Sequence, residues 1–212
     1  RILEQKGVRI WKGNSSREAL DRRGLHDYPE GENGPIYGKQ WRAWGPNRID
    51  QIDRLLKGLV QDPYSRRHIL SAWNVDDLDK MSLLPCHMVY QFYVEPEDGG
   101  RGRLSMMVMQ RSGDAFLAAM SWNVTSFALF LILVAQHCGY VPDRIVHTIG
   151  DLHVYENHVE QVKTQCLRAP FAKPTIRVTS KIPEKLTDYV WGEDIDVHTY
   201  EHHPSIRAPM AV

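Results

Sequence analysis

The sequence predicts an α+β fold: a layered mixed β-sheet with one fully buried central helix and amphipathic helices over it. Three observations lead there. Met88 to Val94 and Arg103 to Gln110 read as strands, and the turn-rich Glu95 to Gly102 between them implies an antiparallel pair. Phe127 to Ala135 is apolar on every side, and a helix with no polar face is a buried one. Ile49, Ile52, Leu55, Leu56 and Leu59 recur at helical spacing opposite Asp50, Asp53, Arg54 and Lys57, which describes a half-exposed helix ending at Asp62-Pro63.

The remaining elements fall around these. Ile2 to Val8 reads as the tail of a helix closing near Gly7. Ser15-Ser16-Arg17-Glu18 has capping-box spacing, with Gly24 placed to close the helix that follows. His26 to Gly34 is an acidic loop, and Pro35 to Arg42 reads as a packed loop or a ligand surface. His68 to Trp73 is a strand entered through Arg66 and Arg67, two adjacent cations that an extended backbone points to opposite faces. Thr125 or Ser126 caps the apolar helix and Gly139 ends it. Arg144 to Gly150 is a strand, Asp151, His153 and Tyr155 share one face beyond it, and Tyr155 to Leu167 is a helix stopped by Pro170 to Pro174. Thr175 to Val178 and Asp194 to Tyr200 complete the strands.

Residues 1–212 fit one domain, long enough to bury a core without staples. Lys plus Arg and Asp plus Glu both number 26, so no global field draws the chain to nucleic acid or to a membrane surface. Three cysteines, Cys86, Cys138 and Cys166, have no paired spacing, which argues for a reducing compartment and against a disulfide scaffold or zinc ribbon. There is no signal peptide and the longest apolar run is too short for a bilayer, so a cytoplasmic location is expected by default.

Chemistry concentrates at Leu84-Pro85-Cys86-His87. Pro85 biases its predecessor toward extended backbone, so the Cys86 thiol is delivered at a strand mouth. Gln110-Arg111-Ser112-Gly113-Asp114 closes a second strand. An arginine near the thiol would favour the thiolate, the form that attacks electrophiles. The alternative for Cys86 is a small buried hydrophobe, the commonest fate of a cysteine.

Taken together, the motifs resemble those of the thymidylate synthase family. The resemblance runs from about Gly7 to Val212. It rests on Gly34 to Arg42, Ser65-Arg66-Arg67, Ser71-Ala72-Trp73-Asn74, Leu84 to His87, Gln91 to Val94, Gln110 to Asp114, Gly150 to Tyr155, Asn157-His158 and the terminal Ala208 to Val212, in that order. It implies that Cys86 adds as a thiolate to C6 of dUMP, that C5 then attacks the methylene of 5,10-methylenetetrahydrofolate, and that the products are dTMP and dihydrofolate. Arg111, with Arg66 and Arg67 reaching from the neighbouring subunit of a homodimer, would grip the phosphate. Ser112 would add a phosphate hydrogen bond, and Asn123 would read O4 and N3 of uracil. His153 and Tyr155 would hold the ribose 3′-hydroxyl. Gln110 belongs to the same nucleotide-binding motif, and Tyr37 and His87 would support contacts near the base. Asp114, Trp11, Trp122 and the last residue, Val212, would border the folate. No metal is implied.

Each has a structural alternative. Trp11 and Tyr37 are plausible core aromatics, Asp114 a partner for Arg111, Asn123 a helix N-cap, His153 a surface histidine and Val212 a frayed end. Cys138 and Cys166 have no motif and read as helix residues.

The sequence departs from the family twice. A preceding segment with a phosphate-binding arginine loop and a proton-transferring glutamate is absent from this chain. Between Asp114 and Asn123, Ala115-Phe116-Leu117-Ala118-Ala119-Met120-Ser121-Trp122 is one residue longer than the usual pattern and lacks its glycine and Pro-Phe. A rewritten loop beside the folate keeps open dUMP hydroxymethylation, in which water replaces hydride. Asparagine at 123 favours uracil, since hydroxymethylases acting on cytosine nucleotides carry aspartate there. Two other classes are weighed: a cysteine hydrolase using His87, His153 or Asp151, and a binding protein that keeps the scaffold without turnover.

Overall fold

Four strands form the main sheet of the computed structural model, which describes residues 5–209. β1 (Ile69–Ser71), β2 (His87–Glu95), β3 (Arg103–Asp114) and β4 (Val141–His153) lie side by side in that order. The first three are antiparallel neighbours, while β4 runs parallel to β3, so the sheet is mixed. A parallel pair needs a long crossover connection, usually a helix. The apolar helix supplies it. β5 (Thr175–Val178) and β6 (Ile195–His198) make a separate antiparallel ribbon.

Five α-helices are described: α1 (Arg17–Arg22), α2 (Gly38–Arg42), α3 (Gln51–Gln61), α4 (Val124–Cys138) and α5 (Val159–Cys166). Ser16, not Ser15, caps α1 by accepting from the Ala19 amide; the Ser15 hydroxyl instead donates to the Trp11 carbonyl. Asp50 caps α3 and accepts from Asp53 N–H at 3.0 Å. Gly139, at φ +80°, ends α4 as its position in the sequence suggests, because left-handed backbone is cheap only without a Cβ.

One face of the sheet carries the core. Tyr90, Phe92 and Val94 of β2 and Leu104, Met106 and Val108 of β3 alternate inward, meeting Ile52, Leu55 and Leu59 of α3 and Phe127, Leu131, Val134 and Ala135 of α4. Ile69, Tyr93, Met109 and Val146 stand exposed on the sheet strands.

Three sequence expectations need correction. The segment after Asp114 is not a loop capped by Thr125 or Ser126. Ala115–Asn123 is a π-helix that runs directly into α4, and Asp114 caps it through Phe116 and Leu117 N–H. The continuous helix Ala115–Cys138 therefore has 24 residues, long and apolar enough to cross a bilayer, although part of it packs on the sheet. Finally, the central helix is buried on one face rather than all round. Phe127, Leu131, Val134 and Ala135 are covered, while Val124 is exposed and the other apolar residues are half-buried, because among the described residues the sheet and α3 cover a single side.

Candidate active site

A β-bulge between His87 and Val89 shifts the inward phase of β2 by one residue. Without it Met88 would continue the row of Tyr90 and Phe92. With it His87 turns onto the Phe127 ring, 5.3 Å centroid to centroid, and Cys86 falls at the mouth of the strand. Beside it, the Arg111 guanidinium is fixed by the turn that Pro85 creates: Nε donates to the Pro85 carbonyl at 3.0 Å and Nη2 to the Leu84 carbonyl at 2.9 Å. The backbone closes the same contact, since Arg111 N–H donates to the Cys86 carbonyl. Arg111 Nη2 then stands 4.0 Å from Cys86 Sγ, and the guanidinium carbon 5.9 Å from the Trp73 ring centre. A cation so placed stabilises a thiolate more than a thiol.

The two strand ends open on one cavity of about 610 Å³. Cys86, His87, Gln110, Arg111, Ser112, Asp114, Asn123, His153 and Tyr155 line it, with Trp11, Tyr37 and Trp122. These come from β2, β3, β4 and residues flanking their ends, from the π-helix, from the segment before α1 and from Tyr37 at the start of α2, and the outermost are more than a hundred residues apart in the chain.

Tyr37 forms a wall. Its ring stacks on His87 at 4.3 Å and tilts against Trp11, and its hydroxyl accepts from Cys86 N–H at 2.8 Å. Burial, followed by the neighbouring Cys86, raises its pKa well above the ordinary tyrosine value, so it stays a neutral O–H. His87 is held by the Tyr90 hydroxyl at Nδ1, and burial, then the neighbouring His147, pushes its pKa down to about 4. Tyr90 is raised by its own burial. The polar lining is thus neutral at these rings, and the Arg111 guanidinium is the charge beside the thiol.

Asn123 ends the π-helix, and its side chain caps nothing. It accepts instead from Gln110 Nε2, in a long contact of 3.4 Å. Gln110 is buried, continuing the inward row of β3, and it also donates to the Ser112 carbonyl at 2.8 Å and accepts from His147 Nε2 at 2.9 Å. His153 pairs with Asp151 at 3.3 Å and stands edge-on to Tyr155. Asp114 makes no ion pair with Arg111; its carboxylate caps the π-helix while still lining the cavity.

Arg66 and Arg67 lie elsewhere. Arg66 lines a hollow with Gln91, Tyr93, Arg144 and Val146, while Arg67 lines another with Arg54, Ser65 and His68; both sit in a turn before β1 and not on the extended backbone expected of them. Val212 falls outside the described residues. Cys138 is held above the ordinary thiol range, at about 11, by burial, and Cys166 is exposed. Among the described residues no group of His, Cys, Asp and Glu side chains is arranged to hold a metal ion.

Sequence reasoning missed His147, Arg22 and Arg23. His147 shares an inward face with Ile145 and Ile149, a place where a polar residue among apolar neighbours signals a partner. Arg22 and Arg23 reach the cavity wall from the last turn of α1 and its cap, with Arg23 anchored on the Leu78 and Met81 carbonyls.

Comparison with known families adds one finding to this geometry: the thymidylate synthase family model matches residues 1–212. The chain belongs to the thymidylate synthase family. Membership supports a dUMP-methylating type of activity and a folate-dependent methyltransferase using methylenetetrahydrofolate. The hydrolase alternative has no support in the site, since no His or carboxylate among the described residues hydrogen-bonds the Cys86 sulfur.

Proposed function

We propose that this protein methylates dUMP to dTMP, taking both carbon and hydride from 5,10-methylenetetrahydrofolate through a covalent bond from Cys86 to C6 of uracil. The observation that carries the reading is the Cys86 sulfur 4.0 Å from the Arg111 guanidinium, inside a cavity that also gathers Ser112, Asn123, His153 and Tyr155.

The chemistry follows from those groups. The thiolate adds to C6 and turns C5 into an enolate-like nucleophile. C5 bonds to the folate methylene and loses its proton. The bond from that carbon to the folate nitrogen breaks, leaving an exocyclic methylene on the pyrimidine. A hydride from the tetrahydrofolate ring reduces it, the carbon–sulfur bond breaks, and dTMP, dihydrofolate and free Cys86 result. Arg111 and Ser112 hold the phosphate, Asn123 the O4/N3 edge, and His153 and Tyr155 the ribose. Gln110 orients Asn123. His87 and Tyr37 shape a neutral pocket beside the base, and Trp11, Trp122, Asp114 and Val212 border the folate. Arg66 and Arg67 serve the partner's site in a cytoplasmic homodimer. Their distance from the cavity of their own chain supports this division of labour.

One observation favours a second reading, hydroxymethylation of dUMP with water in place of hydride. The segment bordering the folate is a π-helix whose Trp122 is 43% exposed at the cavity. A single assay separates the two. The protein is incubated with dUMP and methylenetetrahydrofolate, the product is weighed by mass spectrometry, and dihydrofolate is followed by absorbance. A methylated product with one dihydrofolate per turnover supports the first reading, and a hydroxymethyl product without dihydrofolate replaces it by the second. Cys86→Ser is expected to bind dUMP and lose turnover; a near-normal rate in that variant overturns both.

A further inference from the structure

We propose that His147, which lies behind the cavity wall, sets the choice between uracil and cytosine by fixing the orientation of two side-chain amides in series. The inference rests on the reading that Asn123 meets the pyrimidine edge.

The argument is one of donors and acceptors. The Ser112 carbonyl is backbone and only accepts, so the group 2.8 Å from it on Gln110 is the amide nitrogen. That places Gln110 Oε1 toward His147, where it can only accept, and His147 Nε2 at 2.9 Å is therefore the protonated nitrogen. The other contact of Gln110 Nε2 then requires oxygen on Asn123, at 3.4 Å. With Oδ1 partly engaged from behind, Asn123 presents its NH₂ and a remaining lone pair in one fixed order. That order suits an acceptor at position 4 and a donor at position 3, which is uracil. Cytosine has the reverse order and needs Asn123 flipped, which would set NH₂ against the Gln110 NH₂.

Gln110 is 2% exposed, so bulk water does not compete for these contacts. His147 is itself held. It sits on β4 between Ile145 and Ile149, its ring stands edge-on to Phe127 at 5.2 Å, and its burial favours the neutral form that this arrangement uses. Removing it leaves Gln110 Oε1 buried without a donor. The amide then gains by swinging toward the cavity, and Asn123 loses its stop. His147 touches no substrate in this scheme. It is a positioning residue.

The test measures dUMP and dCMP binding by calorimetry, without folate, for the native chain, His147→Leu and His147→Gln. The native chain is expected to prefer dUMP strongly. His147→Leu is expected to lose about tenfold or more of that preference, chiefly through tighter dCMP binding, because a site built on fixed hydrogen bonds discriminates only while they stay fixed. His147→Gln places an amide donor where Nε2 stood and is expected to restore the preference. Should His147→Leu fail to fold, His147→Phe, which keeps a ring against Phe127, is measured in its place. Unchanged discrimination in the folded donor-less variant overturns the proposal while leaving the functional reading intact. A native chain that binds neither nucleotide overturns that reading itself.

Discussion

His87 should make this protein acid-sensitive in a window set by one buried ring. The Tyr90 hydroxyl donates to Nδ1, since Tyr90 is held protonated by burial, and a second proton at Nδ1 would face that donor. The folded pKa is about 4, against an ordinary value of 6.5. The folded value is the lower one, so between the two it is the unfolded chain that takes up the proton. The contribution is present above about pH 6.5 and is lost as pH falls toward 4. Going from about pH 7 to about pH 5, this ring alone should remove about 2 kcal/mol of stability. That is an appreciable share of the roughly 5–15 kcal/mol by which folded domains are stable. The assay is urea unfolding across that range for the native chain and for His87→Gln, whose side-chain carbonyl can still accept from Tyr90. The difference between the two curves isolates the ring. The native chain should fall by about 2 kcal/mol more than the variant, with nearly all of the divergence above pH 4. Parallel curves would refute the assignment of a buried, neutral His87.

Tyr37→Phe keeps the stacking on His87 but leaves Cys86 N–H without its acceptor; a loss of about 1–2 kcal/mol is expected, lowering the melting temperature by about 2–8 °C in calorimetry. Gly113→Ala places a Cβ 2.9 Å from Ala119 Cβ and 3.2 Å from both Gln110 Nε2 and Ile149 Cγ2. Overpacking there should cost about 1–3 kcal/mol and weaken dUMP binding by displacing the Gln110 amide, measured by unfolding and titration on the same sample.

Much of the architecture was written in short-range pattern. The inward rows Tyr90-Phe92-Val94 and Leu104-Met106-Val108 alternate cleanly, and Ile52, Leu55 and Leu59 mark one side of α3, so strand and helix identities follow directly. Gly24 and Gly139 announce their helix ends. What pattern did not disclose is phase. The bulge after His87 inserts a residue without any turn signal, and it decides that His87 rather than Met88 faces Phe127. The π-helix was invisible for a related reason: Ala115 to Trp122 has good helix formers but no 3.6-residue stripe, because a wider turn places its side chains differently. Partner selection was likewise hidden. That β4 joins β3 in parallel follows from where α4 carries the chain, a long-range outcome. Within the cavity, Cys86, Arg111, His153 and Tyr155 were found through motif order and Asn123 through what the resemblance implies, whereas His147 touches the cavity lining through Gln110 and belongs to no motif.

The broad turn preceding α4 has a bearing on how such proteins diversify. Each turn with hydrogen bonds reaching five residues back stores one more residue than an ordinary helical turn. Ala115–Asn123, the stretch read from the sequence as one residue longer than the family pattern, is wound in this wider coil. A change in the length of this stretch can thus be taken up within the coil, and the cavity lining around Trp122 rewritten, without moving the part of α4 that packs on the sheet.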